Sequence, residues 1–147
     1  MIQLATINNL NELSILFDAY RQFYDKSSDV NAAKEFLTER INNNESKIFL
    51  AFNEDKIAVG FVQLYPLFSS TRLKRFWILN DLFVDPNYRG KGYSKQLIEE
   101  AQQLCYDTNA CAMLLETSIT NDIGNNLYPS MGFVLRDDAN FYEWEVK

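Results

Sequence analysis

The stretch from Asn80 to Ser94 reads N-D-L-F-V-D-P-N-Y-R-G-K-G-Y-S, and it is the most informative part of this sequence. Its apolar run at positions 82–84 is typical of the end of a buried strand, and the run Arg89-Gly90-Lys91-Gly92 is typical of a loop that opens onto a helix. The first turn of a helix has backbone N–H groups without intrahelical partners, and the helix dipole adds positive charge there. We therefore expect this loop to hold a pyrophosphate group.

Two other phosphate-binding loops fail on spacing. A Walker A loop requires G-x-x-x-x-G-K-[ST], which does not occur in the chain. The dinucleotide fingerprint G-x-G-x-x-G would need a third glycine at position 95, where the chain has Lys95. The short R-G-x-G pattern is weak on its own, since any turn from strand to helix can use glycines.

Two blocks of sequence together resemble a known family. Positions 81–97, D-L-F-V-D-P-N-Y-R-G-K-G-Y-S-K-Q-L, resemble the acetyl-CoA-binding motif of the GNAT superfamily of N-acetyltransferases. Positions 116–133 resemble its E-T-x-x-x-N-x-x-A-x-x-L-Y-x-x-x-G-F block, and the two blocks stand in the family's order. The resemblance runs from about Lys47 to the C-terminus. The chain departs from the pattern at Asn87, Gly124 and Pro129.

The resemblance implies an α/β fold with a mixed, mostly antiparallel sheet. We expect about six or seven strands and about four helices, with the sheet splayed between its fourth and fifth strands, in one domain spanning residues 1–147. Apolar periodicity predicts helices from Asn9 to about Asp25, from Val30 to the asparagines at 42–44, after Gly92, and around 121–130. Alternation and turn residues predict strands over 2–6, 47–52, 56–65, 73–84, 112–116, 133–135 and 141–146, the last two as a closing hairpin.

Composition excludes several classes of protein. The 147 residues carry a net charge of −6, which argues against a nucleic-acid partner. They include no histidine, which is the commonest metal ligand in proteins. We therefore expect no metal. No apolar run is long enough for a membrane span, and no secretory signal is evident, so we expect a cytoplasmic protein. The two cysteines, Cys105 and Cys111, are expected to be free thiols.

Asn80 and Asp81 interrupt the apolar run of the predicted 73–84 strand. Buried polar side chains are costly unless they are partnered, so this pair predicts a β-bulge, a site, or both. The resemblance implies a bulge at this place, with polar side chains that face the incoming amine. Asp81, acting through water, is the preferred general base, with Glu116 as the less favoured alternative. Asn80 is expected to bond the acceptor.

The resemblance implies the remaining chemical roles. The backbone N–H of Phe83 or Leu82 would stabilise the oxyanion, and Tyr128 would protonate the leaving thiolate. Acetyl-CoA would be the donor substrate, with its pantetheine amides paired to backbone amides along the strand edge. The residues expected to contact it are Leu82, Phe83, Val84, Arg89, Gly90, Lys91, Gly92, Tyr93, Ser94 and Asn121.

The expected reaction is acetyl transfer to a primary amine by direct attack in a ternary complex. The strand containing Asn80 and Asp81 resembles the diamine and histone-like branch of the family, which implies a polyamine, a small amine or a lysine side chain as acceptor. Phe23 and Tyr24 are candidates for lining the acceptor pocket. The alternatives are a non-catalytic acyl-CoA-binding module and, less favoured, a nucleotide-binding protein. Dimers are common in the family, so we expect a homodimer.

Overall fold

All the strands of the sheet lie in the first 116 residues of the chain. The computed structural model describes residues 1–147, which divide into two compact units, Met1–Glu116 and Thr117–Lys147. The first unit contains five strands and three helices. The strands are β1 (Ile2–Leu4), β2 (Lys47–Phe52), β3 (Ala58–Ser69), β4 (Lys74–Val84) and β5 (Met113–Leu114). The helices are α1 (Leu10–Phe23), α2 (Val30–Asn42) and α3 (Tyr93–Asp107).

The sheet has the strand order β1-β2-β3-β4-β5. The first four strands pair antiparallel, whereas β5 pairs parallel to β4. Only two residue pairs join β4 to β5, Trp77 with Met113 and Ile78 with Leu114. The strand β4 continues to Val84, so its edge beyond Ile78 has no neighbouring strand on the β5 side. The sheet is therefore mixed, as predicted, and one edge of β4 is open.

Helices cover the sheet because their apolar stripes match its alternating side chains. On one side α1 and α2 contribute Leu13, Phe17 and Leu37 to a buried cluster, where they meet residues of β2, β3 and β4. The α3 residues Leu97 and Ile98 are also fully buried. Burying one such side chain is worth roughly 1.5–3 kcal/mol, so these contacts hold the sheet rigid at the site described below.

The second unit contains the helix α4 (Asp122–Ser130). Asn121 is its N-cap, since its side-chain oxygen accepts a hydrogen bond from the N–H of Gly124 at 3.1 Å. Gly132 follows the helix with φ of 87°, a left-handed conformation that favours glycine at a helix end. The predicted helix around 121–130 is confirmed.

The predicted closing hairpin is wrong. Neither 133–135 nor 141–146 forms a strand, and the sheet has five strands instead of six or seven. At the predicted turn, the Arg136 guanidinium forms an ion pair with the Asp138 carboxylate through two hydrogen bonds, the longer of which is 2.8 Å. An alternating pattern only becomes a strand when a neighbouring strand supplies backbone partners, and this segment has none.

The other boundaries differ by a few residues. The predicted strand at 112–116 shortens to Met113–Leu114, and α1 begins at Leu10, after a short 3₁₀ turn whose cap is Thr6. The predicted splay and the prediction of a single domain stay predictions. None of the helices is long and apolar enough to cross a membrane.

Candidate active site

The predicted bulge in β4 is confirmed, and it falls at Asn80. The pairing of β3 with β4 matches Gln63 to Asp81 and then Leu64 to Leu79, so Asn80 is the extra residue. A bulge of this kind bends the strand and re-aims the neighbouring side chains. It leaves Asn80 exposed while Asp81 points into the protein, where its exposed fraction is only 4%.

The Asp81 carboxylate is held by three side chains from different elements. Gln63 of β3 donates from Nε2 to Oδ2 at 2.7 Å, and Asn80 donates from Nδ2 to Oδ1 at 3.1 Å. Tyr20 of α1 supplies a third hydrogen bond. Burial raises the pKa of Asp81, and these three bonds oppose that rise without cancelling it. The result is a carboxylate with increased affinity for a proton.

Glu116 has a different environment from Asp81. It is exposed and follows β5 by two residues. The two candidate bases thus differ in burial, and burial raises the pKa of Asp81. Such perturbation is typical of groups that transfer protons.

One hydrogen bond shows which edge of β4 each backbone N–H group faces. The N–H of Asp85 donates to the carbonyl of Val59, near the start of β3, at 2.9 Å. Because N–H groups alternate along a strand, that of Phe83 also points toward β3, and those of Leu82 and Val84 point toward the open edge. Of the two oxyanion donors expected from sequence, Leu82 is the one on the open edge.

The predicted phosphate loop has the backbone that a phosphate site requires. Gly90 and Gly92 have φ values of 76° and 85°, both in the left-handed region. The first amide to bond within α3 is that of Gln96, to the carbonyl of Gly92 at 3.1 Å. The N–H groups of Tyr93 and Ser94 therefore have no acceptor within the helix. An added Cβ on Gly90 would meet nothing within 4 Å, so its side-chain space is open to a ligand.

The two cations of this loop lie on aromatic rings. Arg89 donates from Nε to the carbonyl of Val84 at 3.0 Å, and its guanidinium lies 5.9 Å from the ring centres of Phe23 and Phe83. The Lys91 ammonium lies 5.3 Å from the centre of a neighbouring tyrosine ring. Arg89 therefore ties the phosphate loop to the end of β4 and to α1.

Tyr24, predicted to contact the acceptor, belongs to an aromatic cluster at the end of α1. Its ring centre lies 5.0 Å from that of Tyr20 and 5.3 Å from that of Phe23. Tyr20 in turn contacts Phe83 at 6.3 Å and bonds Asp81. Phe23 and Tyr24 remain about half exposed, at 60% and 50%. The cluster thus extends from the buried carboxylate to the surface.

Tyr128 and Asn121 lie in the second unit. Tyr128 sits on α4 and contacts the ring of Phe133 edge-on, at 5.8 Å between centres. The Asn121 side chain caps α4 and also donates from Nδ2 to Thr117 at 2.9 Å. A Cβ on Gly124 would approach Nδ2 of Asn121 to 2.6 Å, so the Asn121 side chain would have to shift if position 124 carried a side chain.

Sequence reasoning missed Gln63 and Tyr20. Both bond Asp81, but they lie 18 and 61 positions away in the chain. The only available signal for Gln63 was a polar side chain in the middle of an apolar strand. Tyr20 matches an ordinary helical core position and carries no signal of its own.

Known proteins match this chain over nearly its whole length. Residues 13–133 match the family model described as "Acetyltransferase (GNAT) family". The uncharacterized N-acetyltransferase YhfO of Bacillus subtilis strain 168 is 37% identical over 143 residues, which cover 97% of this chain and 94% of that protein. A probable acetyltransferase of Haemophilus influenzae is 33% identical over 135 residues, covering 92% and 90%. A crystal structure of a probable acetyltransferase superposes with a TM-score of 0.95 at 36% identity, covering 100% of this chain and 98% of that one.

The mixed sheet, the glycine-bearing loop before α3 and these matches define one class of protein. The chain belongs to the acetyltransferase (GNAT) family. It is accordingly an enzyme, an acyltransferase, and acetyl-CoA is the acetyl donor that the family generally uses.

Proposed function

We propose that the protein is an N-acetyltransferase that moves an acetyl group from acetyl-CoA to a primary amine by direct attack in a ternary complex. The acceptor is a polyamine, another small amine or a lysine side chain. The observation that carries this proposal is the buried Asp81 carboxylate beside the open edge of β4. A carboxylate with a raised pKa both attracts an ammonium group and accepts its proton.

The donor substrate fits the first unit. In our proposal the pyrophosphate binds the backbone N–H groups between Arg89 and Ser94, at the N-terminus of α3. The pantetheine arm extends along the open edge of β4, where the Val84 N–H is available to pair with an amide. The positive charges of Arg89 and Lys91 favour the phosphates, although both side chains also rest on rings. Asn121 is a further proposed contact of the donor.

The proposed reaction begins with loss of a proton from the acceptor ammonium to Asp81, through a water molecule. The neutral amine attacks the thioester carbonyl carbon, and the Leu82 N–H stabilises the developing negative charge on its oxygen. One such preorganised donor is typically worth about 3 kcal/mol of barrier. The carbon–sulfur bond then breaks, the Tyr128 hydroxyl protonates the leaving thiolate, and the extra proton on the new amide nitrogen passes through water to the tyrosinate. Asn80, exposed at the bulge, bonds the acceptor.

Release of free coenzyme A thiol tests the proposal. The chain is incubated with acetyl-CoA and one acceptor at a time, drawn from polyamines, amino acids, aminoglycosides and a lysine peptide. We expect polyamines, small amines or the lysine peptide to stimulate thiol release. If none does, although acetyl-CoA protects the protein from heat, the acceptor class is wrong.

We also propose a homodimer, which the C-terminal segment supports. Six apolar side chains in this segment are 79–90% exposed in the single chain: Val134, Leu135, Phe141, Tyr142, Trp144 and Val146. A dense group of exposed apolar side chains is typical of an interaction surface. We assign that surface to a second copy of the chain, because symmetric homodimers are the commonest soluble assemblies.

A further inference from the structure

Gln63 is a polar side chain at the centre of the β3–β4 pairing, and it is 0% exposed. It lies opposite Asp81 in the register of the two strands, at the step where the bulge begins. Its Nε2 donates to Asp81 at 2.7 Å, the shorter of the two amide contacts to this carboxylate. Its other polar atom, Oε1, is buried without a hydrogen-bond partner.

This arrangement is unfavourable for stability considered alone. A buried amide oxygen without a partner loses its hydration and gains nothing in return. An apolar side chain of similar size would fill the same space without that loss. The amide must present its NH₂ group to Asp81, because a carboxylate can only accept. The polar half of Gln63 therefore serves Asp81 alone.

We propose that Gln63 is a positioning residue of the acceptor site, which holds the Asp81 carboxylate in the orientation that receives the acceptor's proton. This inference rests on the proposed function and extends it to a residue outside the family motifs quoted above. The hydrogen bond also favours the charged form of the carboxylate, since it lowers the pKa of Asp81 against the rise caused by burial. Removing the amide should therefore change both the position and the titration of Asp81.

Few other titratable groups act on Asp81. Tyr20 reaches it from α1 by a hydrogen bond. Tyr65 of β3 interacts with it through charge: burial first, and then Asp81, raise the pKa of Tyr65 to about 12, with the charge of Arg40 on α2 opposing them. Tyr65 therefore stays neutral over the range in which Asp81 titrates. A pH change that follows substitution of Gln63 can thus be assigned to Asp81.

The test uses two substitutions at this position. Gln63→Met keeps the length of the side chain and removes the amide, whereas Gln63→Glu places a second carboxyl group opposite Asp81. Two quantities are measured in each full-length protein. One is the pKa of Asp81 from the ¹³C NMR signal of labelled aspartate, assigned with Asp81→Asn. The other is the pH dependence of kcat/KM for the best amine acceptor.

We expect the Asp81 pKa to rise by about one unit in Gln63→Met, and further in Gln63→Glu, where like charges repel. The acidic limb of the kcat/KM profile should move to higher pH by the same amounts. Below that limb, kcat/KM should then fall about tenfold in Gln63→Met, since one pKa unit is a factor of ten in the ionised fraction. On the alkaline plateau, where Asp81 is ionised in every variant, a smaller loss of kcat/KM should remain, because the carboxylate is no longer held in its orientation.

Val62→Ala is the matched control, because Val62 is a fully buried neighbour on the same strand whose side chain points to the other face. It should lower stability and leave the acidic limb in place. An unchanged Asp81 pKa in both Gln63 variants would overturn the inference, as would a changed pKa with an unmoved kcat/KM profile. If the unsubstituted protein acetylates no amine at all, the proposed function fails first, and the role of Gln63 fails with it.

Discussion

Asp81 is only 4% exposed, and burial holds its pKa above the ordinary value of 3.8. The folded protein therefore binds this proton more tightly than the unfolded chain does. Stability falls as pH rises from 3.8 through the folded-state pKa, and it stays lower above that value. At neutral pH the carboxylate thus costs stability, which is expected of a group retained for its chemistry.

Substituting Asp81→Asn should separate the stability cost of this carboxylate from its proposed role in acetyl transfer. The neutral amide removes the cost of burying a charge, so at about pH 7 the free energy of unfolding should rise by about 1 kcal/mol. The gain should shrink as pH falls toward 3.8, where the natural carboxyl is protonated. Acetyl transfer should fall about 100-fold or more, because the proposed general base is lost. Urea unfolding at several pH values and initial rates measure both.

Asp18→Asn is a matched control with the opposite sign. Asp18 is also buried, and burial raises its pKa, but hydrogen bonds from Ser28 and the Asp29 backbone, together with the charge of Arg21, outweigh burial and hold the pKa below 3.8. Its charged form stabilises the fold above that value, and the stabilisation is lost as pH falls through the folded-state pKa. The control should lower stability at about pH 7. A stabilised Asp18 variant, or an active Asp81 variant, would contradict this account.

Tyr128→Phe tests the proposed general acid. The ring and its edge-on contact with Phe133 remain, so α4 should keep its structure. We expect kcat to fall about 100-fold near neutral pH, within the range typical of a lost proton donor. The defect should shrink above a pH of about 8.5, where a thiolate leaves without needing a proton. A defect that stays constant with pH would contradict the acid role.

Sequence could reveal single residues only where they break a pattern. Asn80 and Asp81 interrupt an apolar run, and this predicted the bulge correctly. Gln63 and Tyr20 do not break a pattern strongly enough to be noticed, because their importance depends on contacts with a distant residue. Arg89 was predicted as a phosphate contact, but its place over Phe23 and Phe83 depends on how α1 packs.

At the scale of elements, the junction of β4 with α3 combines three features in one short segment. The strand ends with an open edge, two left-handed glycines turn the chain, and a 15-residue helix begins. Before the glycines, the Asp85 carboxylate caps a 3₁₀ turn at Pro86–Tyr88 by accepting a hydrogen bond of 2.8 Å from the Asn87 N–H. An anion at the helix N-terminus is stabilised by fixed backbone dipoles.

Gly92→Glu should abolish coenzyme A binding. It places a negative charge where the pyrophosphate is proposed to bind, and its Cβ has room, the nearest atom being Nε2 of Gln96 at 4.0 Å. Left-handed φ costs an L-residue roughly 1–2 kcal/mol, so the fold should survive. Gly132→Glu is the matched control, with φ of 87° and no atom within 4 Å of its Cβ. Calorimetric titration with coenzyme A should separate the variants, and equal affinities would refute the phosphate-loop assignment.

Elements with strong local signals were predicted well, and elements that depend on partners were not. The helix α2 was predicted from Val30 to the asparagine run, and it spans Val30–Asn42. The predicted strand at 112–116 shortened to two residues, and the hairpin over 133–146 did not form. The apolar alternation at Tyr142, Trp144 and Val146 indicates side chains that favour burial, but it does not identify the element that would bury them.

At the scale of the whole molecule, the exposed C-terminal segment predicts self-association. Trp144→Glu should convert a dimer to a monomer, because a charge in an apolar interface is costly to bury. The circular dichroism spectrum should not change, since this side chain is 85% exposed in the single chain. Tyr106→Glu, 81% exposed on α3, is the control and should leave the mass unchanged. Light scattering that shows a monomer before any substitution would contradict the prediction.

The whole protein carries a net charge of −6, which favours the proposed cationic acceptor. Charge of this kind speeds the encounter with a polyamine or a basic peptide, and the effect weakens with added salt.

The most direct measurement is mass spectrometry of the acceptor after incubation with acetyl-CoA, in parallel for the natural chain, Asp81→Asn and Gly92→Glu. We predict an N-acetylated amine with the natural chain, at least about 100-fold less of it with Asp81→Asn, and none with Gly92→Glu. An acetylated amine formed equally well by the Asp81 variant would contradict the central claim that this buried carboxylate deprotonates the acceptor.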